Sequence, residues 1–270
     1  MSAIQRISLV MPLCGLLCGA QGLPPAPPAT PTLEQRLTEA FQRDQQVLLG
    51  YTHREHVITR KDREMDGRTL SVWYVRGRAV SETIALDSRT LNNEERSAEH
   101  ARACERAAAT AKRQPPVLGV MEFGGHSYPF ARLAHDYRYT NPHTILWNGR
   151  ATWVYDAVPN PEVHARSREE KLLLHSRGEV YVDAKDQHVV RMVIESTRPV
   201  RYLLGMLATI HHADFLLELE RVQPGVWLPK KADFHLQATV LLFDHLTRSK
   251  VTSYYDYLPV TGTTANPCTP

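Results

Sequence analysis

Ala232, Phe234, Leu236, Ala238 and Val240 alternate with Asp233, His235, Gln237 and Thr239. Successive side chains of an extended chain point to opposite faces, so this run makes a strand with one dry face and one wet face. Such strands belong to antiparallel sheets, because parallel sheets are covered on both sides. This alternation constrains the fold more than any other feature. It requires a core built on one face of an antiparallel sheet.

The neighbouring segments extend the pattern. Asp214–Val222, Leu228–Leu242 and Ser249–Leu258 read as a meander. Asn148-Gly149 lies between Thr144–Trp147 and Thr152–Tyr155, and Asn-Gly supplies the positive φ angles of a two-residue hairpin turn. Glu179–Ala184 and His188–Thr197 pair across Lys185-Asp186-Gln187. Tyr51–Arg60, Leu70–Arg76 and Ala79–Leu86 are further strands, the first two joined by a turn at Met65-Asp66-Gly67. Helices stand before and between the strands. Thr32 caps the first, with Gln35 completing a capping box, and Leu33, Leu37, Phe41 and Leu48 form its apolar face up to Gly50. Asn92 and Glu95 open an Ala/Arg-rich helix that stops near Lys112, before Pro115-Pro116. Its apolar residues are mostly alanines, so it reads as a surface helix. Ser167 and Glu170 cap a short helix over Arg168–His175. The fold class is therefore α+β: a long antiparallel sheet curled around its apolar face and closed by an N-terminal helix and inserted helices.

Residues 1–22 read as a cleavable signal peptide: Arg6, an apolar run from Ile7 to Leu17, then small residues with cuts available after Ala20 or Gly22. The run is too short for a permanent anchor, and no other stretch spans a membrane. Lipidation at Cys18 is the alternative, but it needs a small residue where Leu17 stands. A Pro-rich tether follows over residues 23–31, then one domain over 32–258 and a loose Thr/Pro-rich tail over 259–270. The mature chain is expected in the periplasm or outside the cell. Cys104 and Cys268 remain there, either as one disulfide or as two unrelated thiols. With 32 basic against 29 acidic residues, a net +3, no nucleic-acid footprint stands out.

The strand and turn signatures carry a resemblance. Tyr51-Thr52-His53-Arg54-Glu55 follows the first helix, and Trp147-Asn148-Gly149-Arg150-Ala151-Thr152-Trp153-Val154-Tyr155 leads to Pro159-Asn160-Pro161. Gly178-Glu179-Val180-Tyr181-Val182-Asp183 runs through Asp186 to Val189-Val190-Arg191, and Gly225-Val226-Trp227-Leu228-Pro229 precedes the last strands. From Tyr51 to Tyr257 the chain resembles a family of uncharacterised secreted bacterial proteins related to outer-membrane lipoprotein-sorting proteins. The resemblance implies an incomplete β-barrel with helical plugs that shelters acyl chains. None of the matching motifs is catalytic.

Other constellations point to chemistry less well. Gly125-His126-Ser127-Tyr128-Pro129 is similar to the G-x-S-x-G elbow of serine hydrolases, but Pro129 replaces the last glycine and no βα alternation surrounds it. A Ser127 esterase is the weakest of three functional readings. His53 and Glu55, next to His56, could share a face, but they lack a third ligand at a metal-site spacing. His211 and His212, near Asp214, point to opposite faces if the segment is extended. His53-Arg54-Glu55 also matches half of a deaminase signature whose Pro-Cys-x-x-Cys partner is missing, the chain ending at Pro267-Cys268-Thr269-Pro270. Neither catalytic residues nor a metal or other cofactor are expected.

The apolar residues suggest a ligand instead. Leu203, Leu204, Met206 and Leu207, leading to Ile210, are either a core helix or a movable cover over a lipid-accepting hollow. Phe215, Leu217 and Leu219 follow at period two as a wall beneath. A non-enzymatic binder or carrier of lipids or lipidated proteins is the first reading, acyl chains being the partner. An interaction module of the cell envelope with a filled core is the second.

Overall fold

The computed structural model describes residues 26, 30–123, 126–202, 208–240, 244–261 and 267–268. Its helices are α1 (Thr30–Leu48), α2 (Asn93–Ala111), α3 (Phe130–His135) and α4 (Arg168–Leu173). The early strands are β1 (Tyr51–Lys61), β2 (Glu64–Val75), β3 (Arg78–Leu86), β4 (Val120–Phe123), β5 (His126–Pro129), β6 (Tyr137–Trp147) and β7 (Arg150–Pro159). The later ones are β8 (Ser176–Asp183), β9 (His188–Ser196), β10 (Val200–Tyr202), β11 (Ala208–Gln223), β12 (Val226–Val240) and β13 (Asp244–Pro259).

The main sheet runs β3-β2-β1-β13-β12-β11-β9-β8-β7-β6, with β10 paired to β11. Its end strands β3 and β6 do not meet, so the sheet is open, and all its pairings are antiparallel. β4 and β5 form a separate ribbon. The antiparallel sheet expected from the alternation, left unclosed as the resemblance implied, is what the structure has.

Local chemistry explains most of the connections. Asn148 and Gly149 take φ of 49° and 75°, the left-handed pair that lets β6 turn into β7. The Asn92 side chain accepts from the Glu95 amide while the Glu95 carboxylate accepts from Asn92, a complete capping box for α2. Ser167 caps α4 through the Glu170 amide. Gly178 sits inside β8, where a Cβ would lie 2.0 Å from the Val193 carbonyl, so β9 approaches as only glycine allows.

Three local expectations change. Thr32 lies inside α1, which begins at Thr30, so it does not cap the helix. Met65, Asp66 and Gly67 are paired in β2 opposite Arg60, Thr59 and Ile58. The turn is made earlier, at Asp62, with φ of 53°. The Asp62 carboxylate accepts from the Thr247 amide at 2.9 Å, fixing the turn to β13. Gly67 serves another purpose: a Cβ there would lie 1.9 Å from the Asp87 carboxylate. Ile210, expected in an apolar helix or cover, belongs to strand β11.

Two helices cover the sheet from opposite sides. On the inner face, Leu33 and Leu37 of α1 pack with Trp153, Tyr155, Val180 and Val182, and Phe41 stacks on Phe130 of α3 with ring centroids 4.1 Å apart. On the other face, α2 sets Ala103 and Ala107 against Trp73 and Val80. A disulfide joins Cys104 of α2 to Cys268.

Candidate functional site

The inner face carries continuous cross-strand rows. Register places Tyr155, Val180, Met192, Leu217, Ala232, Thr252 and Val57 in one of them. α1 crosses this face, meeting β6, β9 and β12. Where the helix passes β9, β11 and β12, packing is incomplete and leaves a cavity of about 180 Å³. Leu37, Phe41 and Leu48 line it from α1, and Met192, Leu217 and Leu219 from the sheet. Beyond it, Ile194, Phe215 and Phe234 form the next row, each only partly buried.

A wider cleft of about 730 Å³ opens beside the end of α1, between β2–β3 and residues 113–118. Gln45 and Leu48 stand in the walls of both spaces. Gln45 ties the helix to the opposite wall, its amide donating to the Val120 carbonyl at 3.0 Å and its oxygen accepting from the Gly119 amide at 2.6 Å. The cleft is mixed in character: Leu49, Val117 and Leu118 stand beside Arg78 and Arg113.

One acid enters the apolar cavity. Asp44 lies 2.6 Å from His188 Nε2, and His188 stacks on Trp227. His188 Nδ1 lies 2.9 Å from the Val189 carbonyl, which can only accept, so Nδ1 carries a proton. Nε2 is the ring nitrogen turned to the Asp44 carboxyl. Burial pushes the Asp44 carboxyl above its usual range, despite the opposing hydrogen bond from His188. The pair pins α1 to the sheet at the cavity wall.

The expected ligand residues divide. Leu217 and Leu219 line the cavity, and Phe215 is in the adjoining row. Leu203, Leu204, Met206 and Leu207 lie outside the described residues, as do residues 1–22, expected to be a signal peptide, with Cys18 among them. The residues of α1 were read from sequence as an apolar face but not as part of a site; their amphipathic spacing was the available signal. Ser127 lies within β5, paired antiparallel to Glu122, and not at the sharp strand-to-helix turn that a nucleophile elbow needs. Gly125 lies outside the described residues.

His211 and His212 differ most from expectation. Ile210 pairs with Ala238 and His212 with Gln237, so His211 is an extra residue in a β-bulge. A bulge breaks the strict alternation of faces. His211 reaches Thr239 of β12, and His212 reaches Asp214, whose cross-strand partner is His235. All stand on the outer face, opposite the cavity. Sequence spacing could not show that His235 joins them, because the meeting is set by register.

No family model and no curated protein matches the sequence. Among solved structures, the chain is similar to an outer membrane lipoprotein-sorting protein domain from Vibrio parahaemolyticus, at 11% identity over 85% of this chain and 94% of that one, TM-score 0.34. It is also similar to a DUF1329 family protein from Desulfovibrio piger (8% identity, 87% and 95% covered, TM-score 0.35). A chain of the Pseudomonas aeruginosa MucA/MucB complex follows at 10% identity, 86% and 99% covered, TM-score 0.25. Likenesses of this size say nothing about a ligand. No helix among the described residues is long and apolar enough to cross a membrane.

Proposed function

We propose that this is an exported, non-enzymatic binder of an amphiphile, a lipid or a lipidated protein, held by its acyl chain under α1. The observation that carries the reading is the apolar cavity of about 180 Å³ bounded by Met192, Leu217 and Leu219. Apolar cavities of about 150 Å³ remain dry and take up small hydrocarbons. Each methylene buried contributes roughly 0.8 kcal/mol. The adjoining cleft, with Arg78 and Arg113, suits the polar end of the same molecule. A longer chain would continue from the cavity over the half-buried row of Ile194, Phe215 and Phe234.

A second reading has its own support. Leu33 and Leu37 already fill the inner face over Trp153 and Tyr155, as an envelope interaction module with a closed core would require. Native mass spectrometry of protein purified from its own envelope separates the two. The binder should carry lipid, and Leu217→Asp should remove it while the circular dichroism spectrum stays unchanged. Lipid-free protein, with a melting temperature indifferent to added phospholipids and lipopeptides, would overturn the binder and leave the module. The intact mass of the same sample tests export: a chain beginning after Ala20 or Gly22 is expected, and a diacylated species beginning at Cys18 would contradict it.

A further inference from the structure

We propose that His212, Asp214 and His235 form a zinc site on the outer face of the β11–β12 hairpin. Asp214 pairs directly with His235 across the strands, and His212 lies two residues before Asp214 on the same face. His212 Nε2 is 2.8 Å from Asp214 Oδ1, and His235 Nδ1 is 3.4 Å from that oxygen. The three ligand atoms all lie within 4.8 Å of one another. Ligands about 2.0–2.1 Å from a tetrahedral zinc ion stand roughly 3.4 Å apart. The His235 contact to Asp214 matches that spacing, the His212 contact is shorter, and the two imidazole nitrogens lie within 4.8 Å of each other.

Two imidazoles and one carboxylate suit a borderline ion. Imidazole favours zinc, copper and nickel, whereas calcium and magnesium prefer an all-oxygen shell. Three protein ligands leave a fourth position open to water. The bulge adds nearby imidazoles on the same face. His211 Nε2 is 2.8 Å from Thr239 Oγ1, which is 3.3 Å from His245 Nδ1. Acidic groups border the site without belonging to it. Glu195 stands opposite Asp214 on β9 and is taken by Arg177 at 2.9 Å, and Asp233 is taken by Lys231 at 3.1 Å. Because both ring nitrogens already contact the carboxylate, metal entry exchanges ion-pair contacts for coordination without rebuilding the strand.

The experiment uses the tag-free mature chain, stripped with chelator and titrated with zinc sulfate by calorimetry at pH 7.5. One saturable site with a micromolar Kd is expected, with no comparable calcium binding. His235→Ala and Asp214→Asn should each weaken it tenfold or more while leaving the far-ultraviolet spectrum unchanged. His143→Ala, on the exposed part of β6, should leave it as it was. No saturable binding, or zinc binding that survives both His235→Ala and Asp214→Asn, would overturn the site.

Discussion

Val180 and Leu217 stand in one cross-strand row on the same face of the sheet, separated only by Met192 of β9. Val180 is 4% exposed, while Leu217 is half-buried. Both obey the same period-two pattern. The difference lies in what covers them: side chains of α1 and α3 close over Tyr155 and Val180 in one packed cluster, whereas between α1 and Leu217 a cavity remains. Alternation therefore prepares a dry face along the whole sheet, and the helices decide which part becomes core. The remainder is where a ligand has room.

The largest effect should fall in the covered half. Trp153 is 1% exposed beneath α1. Trp153→Ala should cost about 3–5 kcal/mol of stability, the range for removing a fully buried tryptophan. Urea unfolding at constant slope measures it. A loss below about 1 kcal/mol would show that α1 and the sheet collapse into the space, and would erase the contrast between the halves.

The disulfide should come next. α2 buries Ala103 and Ala107 and little else, so its packing on Trp73 and Val80 is thin. The bond to Cys268 spans 164 residues of sequence. Cys104→Ser should lose about 2–4 kcal/mol. It should also make α2 the first site of limited proteolysis, whereas Trp153→Ala should leave α2 protected. Unchanged protease resistance would mean that alanine contacts alone hold the helix.

The open half should respond least to truncation. Phe234 lies opposite Phe215 and is only partly buried. Phe234→Ala should lose about 1–2 kcal/mol, well short of the full-burial figure for an aromatic residue. If the loss matched that of Trp153→Ala, this face would be core, and the amphiphile reading would lose its room.

Legibility followed distance along the chain. The Asn92–Glu95 box, the Asn148-Gly149 hairpin and the alternation through Ala232–Val240 are decided by residues a few positions apart, so their structure could be read directly. The Met65-Asp66-Gly67 turn failed because remote partners decide it: Thr247 holds Asp62, and Asp87 packs against Gly67. The bulge at His211 was hidden because an extra residue in one strand shows only against its partner's register. The cavity was half legible. Leu217 and Leu219 followed from periodicity, but the helix that leaves space above them is positioned by tertiary contacts.

The smallest expected effect concerns the acid at the boundary between the two halves. Asp44 hydrogen-bonds His188 beside the cavity, and burial raises the Asp44 pKa above its ordinary 3.8. Below that value both folded and unfolded chains hold the proton. Just above it the folded chain keeps the proton that the unfolded chain has released, so stability falls as pH rises through this window. Once the folded carboxyl has also ionised, the penalty stays constant. Asn at this position carries no charge, and its amide can donate to His188 Nε2. Asp44→Asn should therefore gain on the wild type as pH rises from 4, and should be at least as stable at pH 7. Paired denaturation curves at pH 4, 5.5 and 7 measure this difference. If the wild type gained on the variant instead, the ion pair with His188 would outweigh the burial of the carboxylate. Asp44 would then be an anchor for α1, and the cavity edge would be held more firmly than its half-filled packing suggests.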